Sequence, residues 1–139
     1  FRVEQHGVEP PPTNVHLYSN TFYSADASGS GIFAAIGIDA TATDVSIANN
    51  LASAPLATSV SLLQGTGASG AAQSNNLVDN APEDLFVSAT PAAPADFILK
   101  ALPNPARDTG ASTVLVFSDF FGTPRPLNGV PDLGAVEGQ

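Results

Sequence analysis

His6 and His16 are the only imidazoles in the chain, and imidazole is the side chain best suited to moving a proton or holding a transition metal near neutrality. Pro10, Pro11 and Pro12 separate them, so a metal site would have to borrow Glu4 or Glu9, and the spacing matches no recognised ligand pattern. Both read as surface or stacked histidines. Among the carboxylates, Asp39 and Asp44 stand about one bend apart and Glu83 adjoins Asp84. Such pairs can hydrolyse glycosides, but neighbouring acids at turns more often cap main-chain groups or hold calcium weakly. The run Gly65-Thr66-Gly67-Ala68-Ser69-Gly70 lacks the lysine and following helix of a phosphate loop and reads as a turn. With no cysteine, thiol nucleophiles, thiolate metal sites and disulfides are excluded. No catalytic, cofactor or metal residue is assigned, and weak calcium binding is the only cofactor chemistry left open.

Charge sets the class of partner. Only Arg2, Lys100, Arg107 and Arg125 are basic against 13 acidic residues, a net charge of −9 that repels nucleic-acid phosphates and anionic lipid. Charged residues are 12% of the chain, about half the usual share, so the surface is polar rather than ionic. No apolar run is long enough to insert into a membrane as a helix. The chain starts at Phe1 without methionine, and the alternation of Phe1 and Val3 suggests a strand already in progress, as in a processed or partial polypeptide.

The elements that would position these groups repeat. Val15 and Leu17 alternate with polar residues and lead to Asn20; Val45 and Ile47 lead to Asn50; a weaker copy ends at Asn76. The intervals, 30 and 26 residues, fall in the range of stacked repeats, with one coil per repeat. Asn20, Asn50 and Asn76 are expected to stack at the bends, since asparagine tolerates left-handed backbone and its amide bonds both locally and to the asparagine above it. Gly31 to Ile38 and Thr58 to Leu63 read as further strands, 24–30 and 65–72 as loops, and Asp84 to Val87 and Asp96 to Leu99 as late strands around a loop broken by Pro91 and Pro94. Val15, Leu17, Val45, Ile47, Val60 and Leu62 are expected to point inward.

The last third of the chain contains four short blocks in order: Asp96-Phe97-Ile98-Leu99; Ala106-Arg107-Asp108-Thr109-Gly110; Asp119-Phe120-Phe121-Gly122-Thr123-Pro124-Arg125-Pro126; and Pro131-Asp132-Leu133-Gly134-Ala135-Val136-Glu137. This order resembles the closing segment of many secreted bacterial right-handed parallel β-helix proteins of the pectate-lyase-like superfold. The resemblance implies an all-β solenoid of about three coils plus an irregular C-terminal cap, and an extracellular or cell-surface location. It divides the chain into an N-terminal strand and proline-rich connector (1–13), coils (14–102) and a cap (103–139). Because that fold carries lyases, hydrolases, epimerases, adhesins and structural proteins, it speaks little to activity.

In the cap, Arg125 between two prolines is expected to bond one or more of Asp119, Asp132 and Glu137 and so hold the tail against the last coil. Lyases of this fold use a basic residue with arginines or calcium, and Lys100 is the only lysine here, so a complete lyase site within the chain is not expected. The favoured reading is a non-catalytic structural or adhesive module acting in a matrix, in a filament or on a surface glycan. The alternative is the C-terminal portion of a polysaccharide lyase or glycoside hydrolase with its catalytic groups upstream. Few aromatic residues, and no tryptophan, favour the first. The N-terminal end, bearing Phe1, Val3 and Val8, is expected to meet another copy or upstream coils of the same polypeptide, with polysaccharide as a further partner.

Overall fold

The computed structural model describes residues 1–26, 31–112 and 116–138, and nine short strands occupy the first part of the chain among these residues. They are β1 (Arg2–Val3), β2 (Thr13–Tyr18), β3 (Thr21–Tyr23), β4 (Ile32–Ile38), β5 (Thr43–Ala48), β6 (Leu51–Ser53), β7 (Ser59–Gln64), β8 (Ala72–Ser74) and β9 (Leu77–Val78). Each of the first six pairs in parallel with the strand three places later, giving three sheets in the orders β1-β4-β7, β2-β5-β8 and β3-β6-β9. The chain thus visits the three sheets in turn and repeats the circuit, one tier per circuit. The protein is predominantly β, with parallel sheets and little helix. Part of the loop expected at 24–30, and Gln139 at the end of the expected cap, lie outside the described residues.

Side-chain alternation and register together build the core. Val15 pairs with Val45, Leu17 with Ile47 and Phe22 with Ala52, so like residues stack tier on tier. Ala35, Ile36, Ile38 and Leu62 of the first sheet, Val45 and Ile47 of the second and Ala52 of the third form one buried cluster. Ile47 is fully buried, and burial of a side chain of that size stabilises the fold by about 2 kcal/mol. Val15 and Leu17 pack on the cluster half-buried, whereas Val60 stays half-buried outside it, opposite Phe33.

At the corners between the second and third sheets the structure corrects the expected backbone. The left-handed residues are Ser19, Asn49 and Asn75, with φ of 54°, 58° and 46°. Each immediately precedes the asparagine that had been expected to take that conformation. The segments at Asp84 to Val87 and Asp96 to Leu99 are not strands either. Pro82 opens a one-turn α-helix, Pro82–Leu85, and Pro94 opens a 3-10 turn, Pro94–Phe97, because proline presets the first helical φ and its missing N–H costs nothing there. All that remains of pairing is one antiparallel bridge, Phe86 to Leu99.

Among the described residues the named strands run from Arg2 to Val78, and parts of 79–112 and 116–138 clothe one flank of them. On the third sheet Ala52 faces the core while Leu51 faces outward, into a second cluster with Leu85, Phe86, Leu99, Ala106 and Leu133. The C-terminal segment touches every tier: Ala135 N–H donates to Thr21 Oγ1 (2.9 Å), Gly134 N–H to Asn49 O (2.7 Å), and Asn75 Nδ2 to Thr109 O (2.8 Å). Gly134 permits this approach, since at φ +84° a Cβ would lie 2.5 Å from Thr21 Oγ1. The segment expected to sit on the last coil instead lies along the side of all three tiers, because the outward leucines of the third sheet, not the tier ends, supply its apolar partner. At the N-terminus Val3 lies in β1. Val3 is buried, and the Phe1 ammonium donates to Ala35 O (2.9 Å), while the side chains of Phe1 and Val8 are exposed.

Candidate functional site

Two constellations carry the polar chemistry, and the first is the asparagine ladder. Asn20 donates through its main-chain N–H (3.0 Å) and Nδ2 (2.9 Å) to Asn50 Oδ1, and Asn50 donates in the same way to Asn76 Oδ1 (2.9 and 3.0 Å). Asn50 is fully buried and its Nδ2 also reaches Leu17 O and Ala48 O. The preceding residues face the other way. Asn49 makes a two-bond amide pair with Ala111, accepting its N–H (2.7 Å) and donating to its carbonyl (3.1 Å). In each Asn-Asn pair, one residue ties the tiers together and the other docks the flanking segment.

The second constellation is built on the loop 117–125. Asp119 Oδ1 accepts the N–H groups of Phe121 (2.8 Å) and Thr123 (2.7 Å), closing a tight turn, and its Oδ2 accepts Glu137 N–H (3.0 Å). Asp132 accepts Asp108 N–H (2.6 Å) and Gly138 N–H (2.5 Å). Arg125 lies among these acids, buried, with Nη2 donating to Gly134 O (2.7 Å) and Nη1 reaching Asp132 O (3.5 Å). Its Nε lies 3.4 Å from Glu137 Oε1, an ion pair by distance that lacks the alignment of a hydrogen bond. Of the three acids expected to hold Arg125, only Glu137 meets it through its side chain. Asp132 meets it through a carbonyl, and Asp119 is spent on main-chain donors.

Burial raises the Glu137 carboxyl above its ordinary value, and the neighbouring Asp132 charge adds to the rise. Burial likewise lowers Arg125, against the opposing pull of Glu137, Asp119 and Asp132. A raised carboxyl means the folded state binds the proton more tightly than the unfolded one. Its stabilisation is therefore complete below the ordinary value of 4.5 and is lost as pH rises through the elevated one. Asp39 and Asp96 act oppositely. Main-chain hydrogen bonds, from Thr41 and from Ala93 with Ala92, lower them, so their contribution holds above 3.8 and disappears as pH falls through the depressed values. Melting temperature should thus rise as pH is lowered towards 4.5 and fall below 3.8. Glu137→Gln should flatten the upper limb alone, and an unchanged upper limb in that variant would contradict the assignment.

The remaining candidates are dispersed. His6 Nε2 lies 3.1 Å from Glu4 Oε1, whereas His16 bonds Asn14 Oδ1 and the Tyr18 hydroxyl, both at 2.9 Å, so the histidines do not converge. Asp39 caps Thr41, Asp44 lies in β5 with φ 52°, and Glu83 and Asp84 occupy the first turn of the short helix. Among the described residues no group of three histidines or acids is placed to hold a metal, and no helix is long and apolar enough to cross a membrane. Sequence reasoning missed the outward row Asn14, His16 and Tyr18 on β2, where the Tyr18 hydroxyl donates to Ser46 Oγ (3.0 Å). The signal was there in the i, i+2, i+4 spacing of polar residues opposite Val15 and Leu17. Also missed was a groove of about 410 Å³ between β3 and the flanking segment, lined by Tyr23, Phe97, Phe120 and Val136. Compared with family models, curated proteins and solved structures, the chain finds no match.

Proposed function

We propose that this chain is a right-handed parallel β-helix module with a structural or adhesive role at the cell surface or outside the cell, presenting its outer faces to a glycan or matrix polymer. The parallel, three-sheet circuit closed on one core supports the helix. The observation that carries the adhesive role is the row on the outer face of β2, where Asn14, His16 and Tyr18 are linked side chain to side chain and to Ser46 on the adjacent strand. Pre-ordered donors and acceptors beside two rings 5.3 Å apart suit a neutral polysaccharide, which is recognised by hydroxyl bonding and ring stacking. Cosedimentation with insoluble neutral polysaccharides tests this. The chain should be retained, and His16→Ala and Tyr18→Ala should each weaken retention without altering the melting profile. Equal retention of both variants would defeat the reading, and release of new sugar ends from the polymer would favour the enzyme alternative.

A further inference from the structure

We propose that copies of this chain stack head to tail, the free edges of β7, β8 and β9 in one copy adding in parallel to β1, β2 and β3 of the next. This rests on the reading of the chain as a tiered module. Among the described residues β1, β2 and β3 have no strand on their outer side, and neither do β7, β8 and β9. Natural sheets protect such edges with charges or prolines. From Ser59 to Val78 there is neither, and β2, Thr13–Tyr18, has none apart from the imidazole of His16.

The core rows also run open at both ends. In the rows Leu17, Ile47, Gln73 and Phe22, Ala52, Val78 the middle members are fully buried. Leu17 and Phe22 are half-buried at one end, while Gln73 and the 41%-exposed Val78 stand at the other. The described part of the flanking segment packs on the outward face of the third sheet, while Gln73 and Val78 remain exposed.

The asparagine ladder decides the occupant and its direction. Each asparagine donates its N–H and Nδ2 to the Oδ1 of the next, so the ladder ends with an acceptor on Asn20 and a donor on Asn76. Donor meets acceptor only when a second copy arrives with the same polarity, Asn76 of one against Asn20 of the other. A two-fold symmetric pair would set donor against donor. The contact is heterologous and does not close, so it extends into filaments. The net charge of −9 on each copy opposes it, and added salt should promote it by screening.

Sedimentation of the 139-residue chain across concentration and salt tests the proposal. The expected result is a ladder of species growing with both. Val78→Lys and Gln73→Lys, each placing a charge on an exposed end position, should leave the chain monomeric, since every copy then lacks a competent β7–β9 edge. Either variant keeps an intact β1–β3 end, so a minor fraction added to the parent should terminate growth, which only a head-to-tail contact allows. A parent that remains monomeric at high salt while holding its β circular-dichroism spectrum overturns the stacking and leaves the module reading standing. A dimer that grows no further, or growth indifferent to both variants, overturns it as well.

Discussion

Replacement of Arg125 by alanine is expected to destabilise the fold by about 3 kcal/mol, the cost of stranding one member of a buried ion pair. The side chain is buried, and its loss leaves Gly134 O without its 2.7 Å donor and Glu137 without its counter-charge. Arg125→Lys should recover little. A single ammonium cannot span Glu137 and the carbonyls of Asp132 and Gly134, which the planar fork reaches together. Glu137→Gln in the Arg125→Ala background should restore part of the loss by removing the unpaired carboxylate, giving a non-additive double-mutant cycle. Urea melts read all of this. An Arg125→Ala variant within about 0.5 kcal/mol of the parent, the range of ordinary surface substitutions, would refute the role.

The second large effect is expected at the centre of the ladder. Asn50→Ala removes the two amide hydrogens that Leu17 O, Ala48 O and Asn76 Oδ1 share, and the acceptor that satisfies both Asn20 donors, at a fully buried position. Leaving several buried groups unpaired at once should cost about 3 kcal/mol, whereas Asn20→Ala and Asn76→Ala, at the ladder's ends, should cost about 1 kcal/mol each. The order, with the centre well above either end, is the informative result. Equal losses at all three positions would mean that each asparagine acts alone as a local turn former.

The repeat was legible because its physics is local. Apolar alternation in Val15/Leu17 and Val45/Ile47 and the polar corner that follows can be read within ten residues, and the pairing register joins the same residues across tiers. The doubled asparagines misled by one residue. Composition shows that a left-handed residue sits at the bend, but in all three tiers, Ser19 included, that residue precedes the laddered asparagine, and the ladder joins residues 30 and 26 positions apart. The late segments failed for a different reason. Leu85-Phe86-Val87 carries an apolar run too short for periodicity to separate strand from helical turn, and Pro82 decided the matter. At the Arg125 cluster, residue types identified the participants but not their bonds. Main-chain N–H groups outcompeted the guanidinium for Asp119 and Asp132, and loop geometry of that kind leaves no mark on spacing.

The segment that runs along the flank also bears on how the molecule comes apart. An array of like units joined only to their neighbours can lose its terminal unit while the rest persists, so its unfolding spreads over many partly ordered species. Here a single stretch near residue 134 is bonded to Thr21 at the first tier and to Asn49 at the second, and Thr109 is bonded to Asn75 at the third. Peeling away any one tier therefore breaks contacts that the others help to hold in place. Such a strap converts a string of separable units into one cooperative body, and the longest of its contacts joins residues 114 positions apart and closes late, because the chain entropy of so large a loop must be overcome before it forms.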